Sequence, residues 1–178
     1  MADDPTGPAA AVVRVVIDAG PVIHLSWIHH LHLLRALFED VVLPIAVRNE
    51  VLAAPDGTLG LDLIRETLTR NEWRVLQLPP NDRLEQFRLR LTGAGETEAI
   101  ELARLFEADL LITDDARARV AAERAGLLVT GTVGVLQAAR NRGLIEAALP
   151  FVLELRRLGQ WVSEELIRDV RVEEENRD

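Results

Sequence analysis

"LLITDDARAR", residues 110–119, runs Leu110, Leu111 and Ile112 almost directly into two adjacent acids, Asp114 and Asp115. A short apolar run of this kind suits a buried strand, and "VVRVVID" over 12–18 repeats the arrangement, closing on Asp18. Outward from these two stretches the pattern recurs, with further strands expected at 41–44, 73–78 and 127–130. Each strand leads into helical spacing: 22–38, 45–53, a helix ending near Leu91, 114–126 and 131–143. Extra helices are expected over 58–71 and 95–107, and two more after Pro150. Strict alternation of this type predicts an α/β fold, a parallel five-stranded sheet with helices on both faces. Such sheets bind ligands beyond the carboxyl ends of their strands, where strand order reverses. If the first and fourth strands are neighbours, Asp18, Asp114 and Asp115 face one crevice.

A chain of 178 residues, 48% hydrophobic, is expected to form one domain over 1–178, with a flexible Pro/Gly/Ala leader at 1–11, C-terminal helices at 150–172 and a frayed acidic tail at 173–178. There is no cysteine, so any metal must be held by oxygen or imidazole, and a reducing cytoplasm suits the composition. No apolar stretch reaches membrane-spanning length and the first residues lack the positive charge of a secretory signal, so no membrane partner is expected. The net charge of −9 argues against non-specific adhesion to nucleic acid. All 20 basic residues are arginines, which excludes a P-loop and Schiff-base chemistry, both of which need a lysine.

Converging carboxylates raise an electrostatic problem. Two unit charges about 4 Å apart repel by roughly 4 kcal/mol at an effective dielectric of about 20. Either some acids stay protonated or a divalent cation sits among them. Oxygen-only clusters suit Mg²⁺ or Mn²⁺, and Mg²⁺ commonly completes its shell with substrate phosphate, which points to phosphodiester chemistry. Simpler roles exist for single members: Asp18 can serve a turn or cap, and one of Asp114 and Asp115 can cap the following helix. In "LTGAGETEAIELA", 91–103, Gly95 as N-cap would place Glu98 at the third helical position, where it folds back to complete the cap. Glu96, in the first turn, is then the preferred ligand and Glu98 the secondary candidate. Glu50, in "VRNEVL", has no claim from spacing alone.

Taken together, "VVIDAGPVIHLSWI", "VVLPIAVRNEV", "LTGAGETEAIELA", "LLITDDARARVAAERAGLLVTGTVGVLQAA" and "NRGLIEAALPFVLELRRLGQWVSEEL" resemble the PIN-domain family, in particular its VapC-like prokaryotic branch. The likeness spans about Val12 to Ile167. It implies a parallel sheet in the order 3-2-1-4-5 and a Mg²⁺- or Mn²⁺-dependent ribonuclease. Carried over by position, it implies Asp18, Glu50, Glu96 and Asp115 as catalytic acids, with Asp18, Glu96 and Asp114 or Asp115 on the metal. Glutamate at position 96 stands where aspartate is usual elsewhere in the superfamily, which lengthens that arm by a methylene. The branch also implies the toxin half of a toxin–antitoxin pair, a small antitoxin as partner, and single-stranded or structured RNA as substrate.

Arg48, Arg117 and Arg119 lie close in sequence to these acids and can grip phosphate in forked geometry, with solvated or paired surface roles as the alternative. Thr113 and Thr132 can donate in the crevice or act as caps. His24, His29, His30 and His32 are better explained by the edge of a packed helix than by a metal pair. Trp27, Trp73 and Trp161 are too dispersed to share a stacking platform and are expected in core or interface. Apolar Leu153, Leu155, Leu158, Trp161 and Leu166 predict a homodimer surface. "GAGE" and "GTVG" do not fit the dinucleotide fingerprint. A phosphoryl-receiving signalling domain would also cluster acids at strand ends, but its lysine is missing. A PIN-fold binding module that is catalytically weak or inactive is the remaining rival.

Overall fold

The computed structural model describes residues 13–78 and 94–176, the side chains of 94–97 excepted. The expected leader at 1–11, the helix ending near Leu91 and the last two tail residues lie outside the described residues. Five strands, β1 (Arg14–Ile17), β2 (Asp40–Pro44), β3 (Arg74–Leu76), β4 (Leu110–Ile112) and β5 (Val129–Thr130), form one sheet in the order β3-β2-β1-β4-β5. Every pairing is parallel, with Val16 opposite Val42 on one side and Leu111 on the other. Fold class and strand order are as the sequence predicts. Nine helices surround the sheet among the described residues: α1 (Ala19–Trp27), α2 (His32–Leu37), α3 (Ile45–Leu52), α4 (Leu61–Thr69), α5 (Ala94–Leu105), α6 (Ala116–Arg124), α7 (Thr132–Asn141), α8 (Leu149–Arg157) and α9 (Glu164–Glu175).

Side chains alternate across a strand, and the central strands β2, β1 and β4 are buried on both faces. Val15, Ile17, Val41 and Leu43 point into a large cluster with Leu25 of α1, Leu34 of α2, Leu136 of α7 and Val152 of α8. Val16, Val42 and Leu111 point the other way, onto Ala99, Ile100, Leu102 and Ala103 of α5 and Ala122 of α6. Each fully buried branched side chain contributes about 1.5–3 kcal/mol, so the central strands anchor the site mounted at their ends. The alanines on the second face let α5 and α6 approach closely, and α6 ends on Gly126 at φ +81, the left-handed position glycine adopts without strain.

Two expectations need correction. The helix predicted over 22–38 is two helices, interrupted at 28–31, where His29 takes a positive φ of 58 and Ile28 and Leu31 both turn into the core. The tail expected to fray from 173 remains helical through Glu175. Glu174 Oε1 accepts from the backbone N–H of Ala148 and Leu149 at 2.6 and 3.0 Å, at the start of α8, where a helix favours negative charge.

Candidate functional site

β1 and β4 are adjacent at the point where strand order reverses, so their ends place Asp18 and the 114–115 pair side by side. Asp18 is 5% exposed. Its backbone N–H continues the sheet ladder to Ile112 O at 2.9 Å, and its Oδ1 accepts from Ala19 N at 2.8 Å as the N-cap of α1. The Thr113 hydroxyl donates to Asp18 Oδ2 at 2.9 Å, and the Thr113 Oγ1 itself accepts from Asp115 N at 3.2 Å. Thr113, expected to touch substrate, is fully buried and instead bridges the two strand ends. Burial pushes the Asp18 carboxyl above its ordinary value. The two hydrogen bonds resist that rise, and the negative charges of Asp115 and Asp114 add to it.

Asp115 caps α6: its Oδ1 accepts from Arg117 N and Ala118 N, both at 2.7 Å. Asp114 is held quite differently. Its Oδ1 accepts from Thr132 N at 2.7 Å, and its Oδ2 from the Thr132 hydroxyl at 2.5 Å and Gln160 Nε2 at 3.3 Å. Oδ2 also lies 2.6 Å from His24 Nδ1. Burial alone would raise this carboxyl, but the hydrogen bonds from His24 and Thr132 outweigh it and hold Asp114 below the usual carboxylate range. An ionised Asp114 can only accept, so the proton of this contact sits on His24 Nδ1. Gly131 makes the arrangement possible, since a Cβ there would meet Asp114 Oδ1 at 2.7 Å.

Glu50, on α3, is exposed, yet partial desolvation and then the charge of Asp18 raise its carboxyl. That coupling brings Glu50 electrostatically into the Asp18 group. Glu96 lies on α5, but its side chain falls outside the described residues. Helix α5 is already under way at Ala94, so Gly95 is not its N-cap. Glu98, 8% exposed, reaches across to accept from Ala46 N of α3 at 3.2 Å. The positions of the arginines differ. Arg117 is exposed; Arg48 donates to its neighbour Asn49 at 3.2 Å; Arg119 donates to the Val129 and Thr113 carbonyls at 3.4 and 3.3 Å, clamping the ends of β4 and β5.

His24 and Gln160 are the participants that sequence reasoning missed. Gly20 and His24 are four apart on α1, hence on one helical face, and Gly20 lies against Asp114. That spacing after a strand-end aspartate was a usable signal. Gln160, on the turn before α9, carries none.

Fold and acids together define a doubly wound α/β protein with an acidic crevice at its switch point. The chain belongs to the PIN-domain family: the family model described as PIN domain (DUF3368) matches residues 14–175. Members of that family are generally nucleases acting on nucleic acid with divalent metals. Among solved structures, the chain is similar to PAE2754 from Pyrobaculum aerophilum, at 15% identity and TM-score 0.51, covering 77% of this chain and 96% of that one. It is also similar to a domain of a functionally unknown protein from Methanocaldococcus jannaschii, at 18% identity and TM-score 0.45, covering 66% and 89%. No curated protein matches the chain. None of the described helices is long and apolar enough to cross a membrane.

The family implies a divalent metal, and the residues can be tested against one. Among the described residues no three His, Asp or Glu side chains form a metal cluster. The chemistry of the donors nevertheless suits a hard cation: Asp18 and Asp115 offer carboxylate oxygens, and the charges of Asp115 and Asp114 raise Asp18, a repulsion that a cation offsets.

Proposed function

We propose that the protein is a metal-dependent endoribonuclease, the toxin half of a VapC-like toxin–antitoxin pair, working in the cytoplasm. The observation that carries this reading is the juxtaposition of Asp18 and the Asp114–Asp115 pair at neighbouring strand ends, linked through Thr113, with Asp18 raised first by burial and then by the charges of Asp115 and Asp114. Asp18 and Asp115, with Glu96, would hold Mg²⁺ or Mn²⁺, which when bound supplies positive charge to a phosphodiester and to the water attacking it. Thr113 fixes the rotamer of Asp18 through its hydroxyl. Glu50, whose carboxyl partial desolvation and the charge of Asp18 raise above its ordinary value, would take a proton from the attacking water at its carboxylate. Asp114, with its charge already bound by His24, Thr132 and Gln160, serves as the rigid post beside the site. Exposed Arg117 and half-buried Arg48 would steer the RNA backbone. A small antitoxin covering the crevice, and a homodimer formed through the C-terminal helices, complete the proposal.

The test is cleavage of end-labelled RNA with Mg²⁺ or Mn²⁺ by the wild-type chain and by Asp18→Asn. Metal-dependent cutting by the first and its loss in the second are expected. Equal inertness of both would favour the binding-module alternative.

A further inference from the structure

Next to the acidic crevice lies a cavity of about 660 Å³, lined among others by Asp114, Arg119, Gln137, Gln160, Trp161 and Val162. Of the three tryptophans, expected in core or interface, Trp73 is buried and Trp27 half-buried, but Trp161 is 86% exposed. A large indole left in water costs free energy unless something covers it in the working state. Gln160 beside it is 8% exposed, and its amide is oriented: Nε2 donates to Asp114 Oδ2, which turns Oε1 away from that acid. Oε1 is buried and meets no donor among the described residues, an acceptor that an incoming N–H would satisfy.

We propose that this cavity is a nucleotide subsite of the ribonuclease, seating one RNA base against the Trp161 indole beside the scissile phosphate. The inference rests on the nuclease reading above. Charge favours a nucleotide: the negative charge of Asp114 is already bound by His24 and Thr132, and Arg119 supplies a cation on the wall, where a phosphate would lie. Position favours it too, since Ala116 and Thr130 also line the cavity, which brings it against the Asp115 cap and the end of β5. The volume is that of a small-ligand site, room for a nucleotide and not for a duplex. An indole stacks on any base, so Trp161 supplies affinity; the Gln160 carbonyl prefers a base edge that presents an N–H.

Binding separates this proposal from the chemistry. In the Asp18→Asn chain with Mg²⁺, the affinity for a labelled single-stranded RNA of about ten nucleotides is measured by anisotropy, alongside the same backbone carrying abasic riboses. Adding Trp161→Ala should weaken binding of the base-bearing RNA about tenfold and leave the abasic strand unchanged, whereas Trp161→Phe should stay within about threefold. Equal affinity with and without the indole overturns the subsite, as does an equal loss on the abasic strand. It is also overturned if Trp161→Ala keeps its RNA affinity but changes a dimeric mass to a monomeric one by light scattering, which would make this face a protein contact. If wild type cleaves RNA and Trp161→Ala binds as tightly, the subsite alone falls. If no variant binds RNA and wild type does not cleave, the nuclease reading falls with it.

Discussion

Asp18 and Asp114 stand at the ends of neighbouring parallel strands, both largely removed from water, yet their carboxyls move in opposite directions. Burial raises each. Asp18 has two donors, Ala19 N and the Thr113 hydroxyl, and faces the charge of Asp115 and Asp114. Asp114 has Thr132 twice, Gln160 and the His24 ring, and the bonds from His24 and Thr132 overcome its desolvation. The donor count, not the depth, decides which acid keeps a settled charge and which holds one that still wants a partner. The first then suits a scaffold, and the second suits the ligand role proposed for it.

The sharpest way to break that contrast is to neutralise each acid in turn. Asp18→Asn is expected to lower RNA cleavage by at least about 100-fold, beyond the loss typical of an outer partner of a metal site. The same change should raise the stability of the metal-free chain by about 1 kcal/mol, because a buried and repelled charge is removed while an amide oxygen can still accept from Ala19 N. Activity lost together with stability, followed by thermal melting, would mean that Asp18 is scaffold after all. Asp114→Ala should do the reverse: about 3 kcal/mol of stability lost in a urea titration, since the fully buried Thr132 hydroxyl and the Gln160 amide lose their acceptor. An Asp114→Ala protein that melts like wild type would remove the basis of the comparison.

Thr113→Val sharpens the comparison from the other side. It keeps the volume and deletes the one side-chain donor to Asp18 among the described residues, so cleavage should fall about tenfold, with half-saturation shifted to higher Mg²⁺. A rate loss that excess metal does not rescue at all would place Thr113 in some other step.

How legible this contrast was depends on how local its causes are. The order of the strands, with β1 beside β4, came from the family resemblance and not from the residues themselves, whereas the strands were legible because β-branched runs ending on aspartate are local signals. Asp18, Asp114 and Asp115 were found for the same reason. Their division of labour was not, because it depends on donors 90, 18 and 46 residues away from Asp114 in the chain. The break between α1 and α2 was hidden because the apolar spacing runs through it; Ile28 and Leu31 are buried on either side of His29 and Leu25 O accepts from His30 N. Glu98 was assigned to its own helix cap on sequence distance, whereas packing of α5 on α3 put the N-terminus of α3 within its reach. Trp161 could be read only as core or interface, because an apolar pattern records hydrophobicity, not which side of the turn a single ring faces.

The smallest expected effect lies in the pH dependence of the metal-free chain, where the two acids pull in opposite senses. A carboxyl raised in the folded state contributes stability that is complete below its unfolded value, near 3.9, and is lost as pH rises through the folded value. Acidification from neutrality should therefore stabilise the protein through Asp18 first. Asp114, held low, contributes above its unfolded value and loses that contribution as pH falls through its folded one, so the trend must turn over at more acidic pH. The difference in Tm between wild type and Asp18→Asn isolates the first limb from every other carboxylate. It should shrink by a few degrees as pH falls from about 7 towards 4, and saturating Mg²⁺, which favours the ionised acid, should shrink it already at neutral pH. A Tm difference that is flat with pH and indifferent to Mg²⁺ would show that Asp18 carries no unrelieved charge, and with that the electrostatic argument for a cation at this crevice is gone.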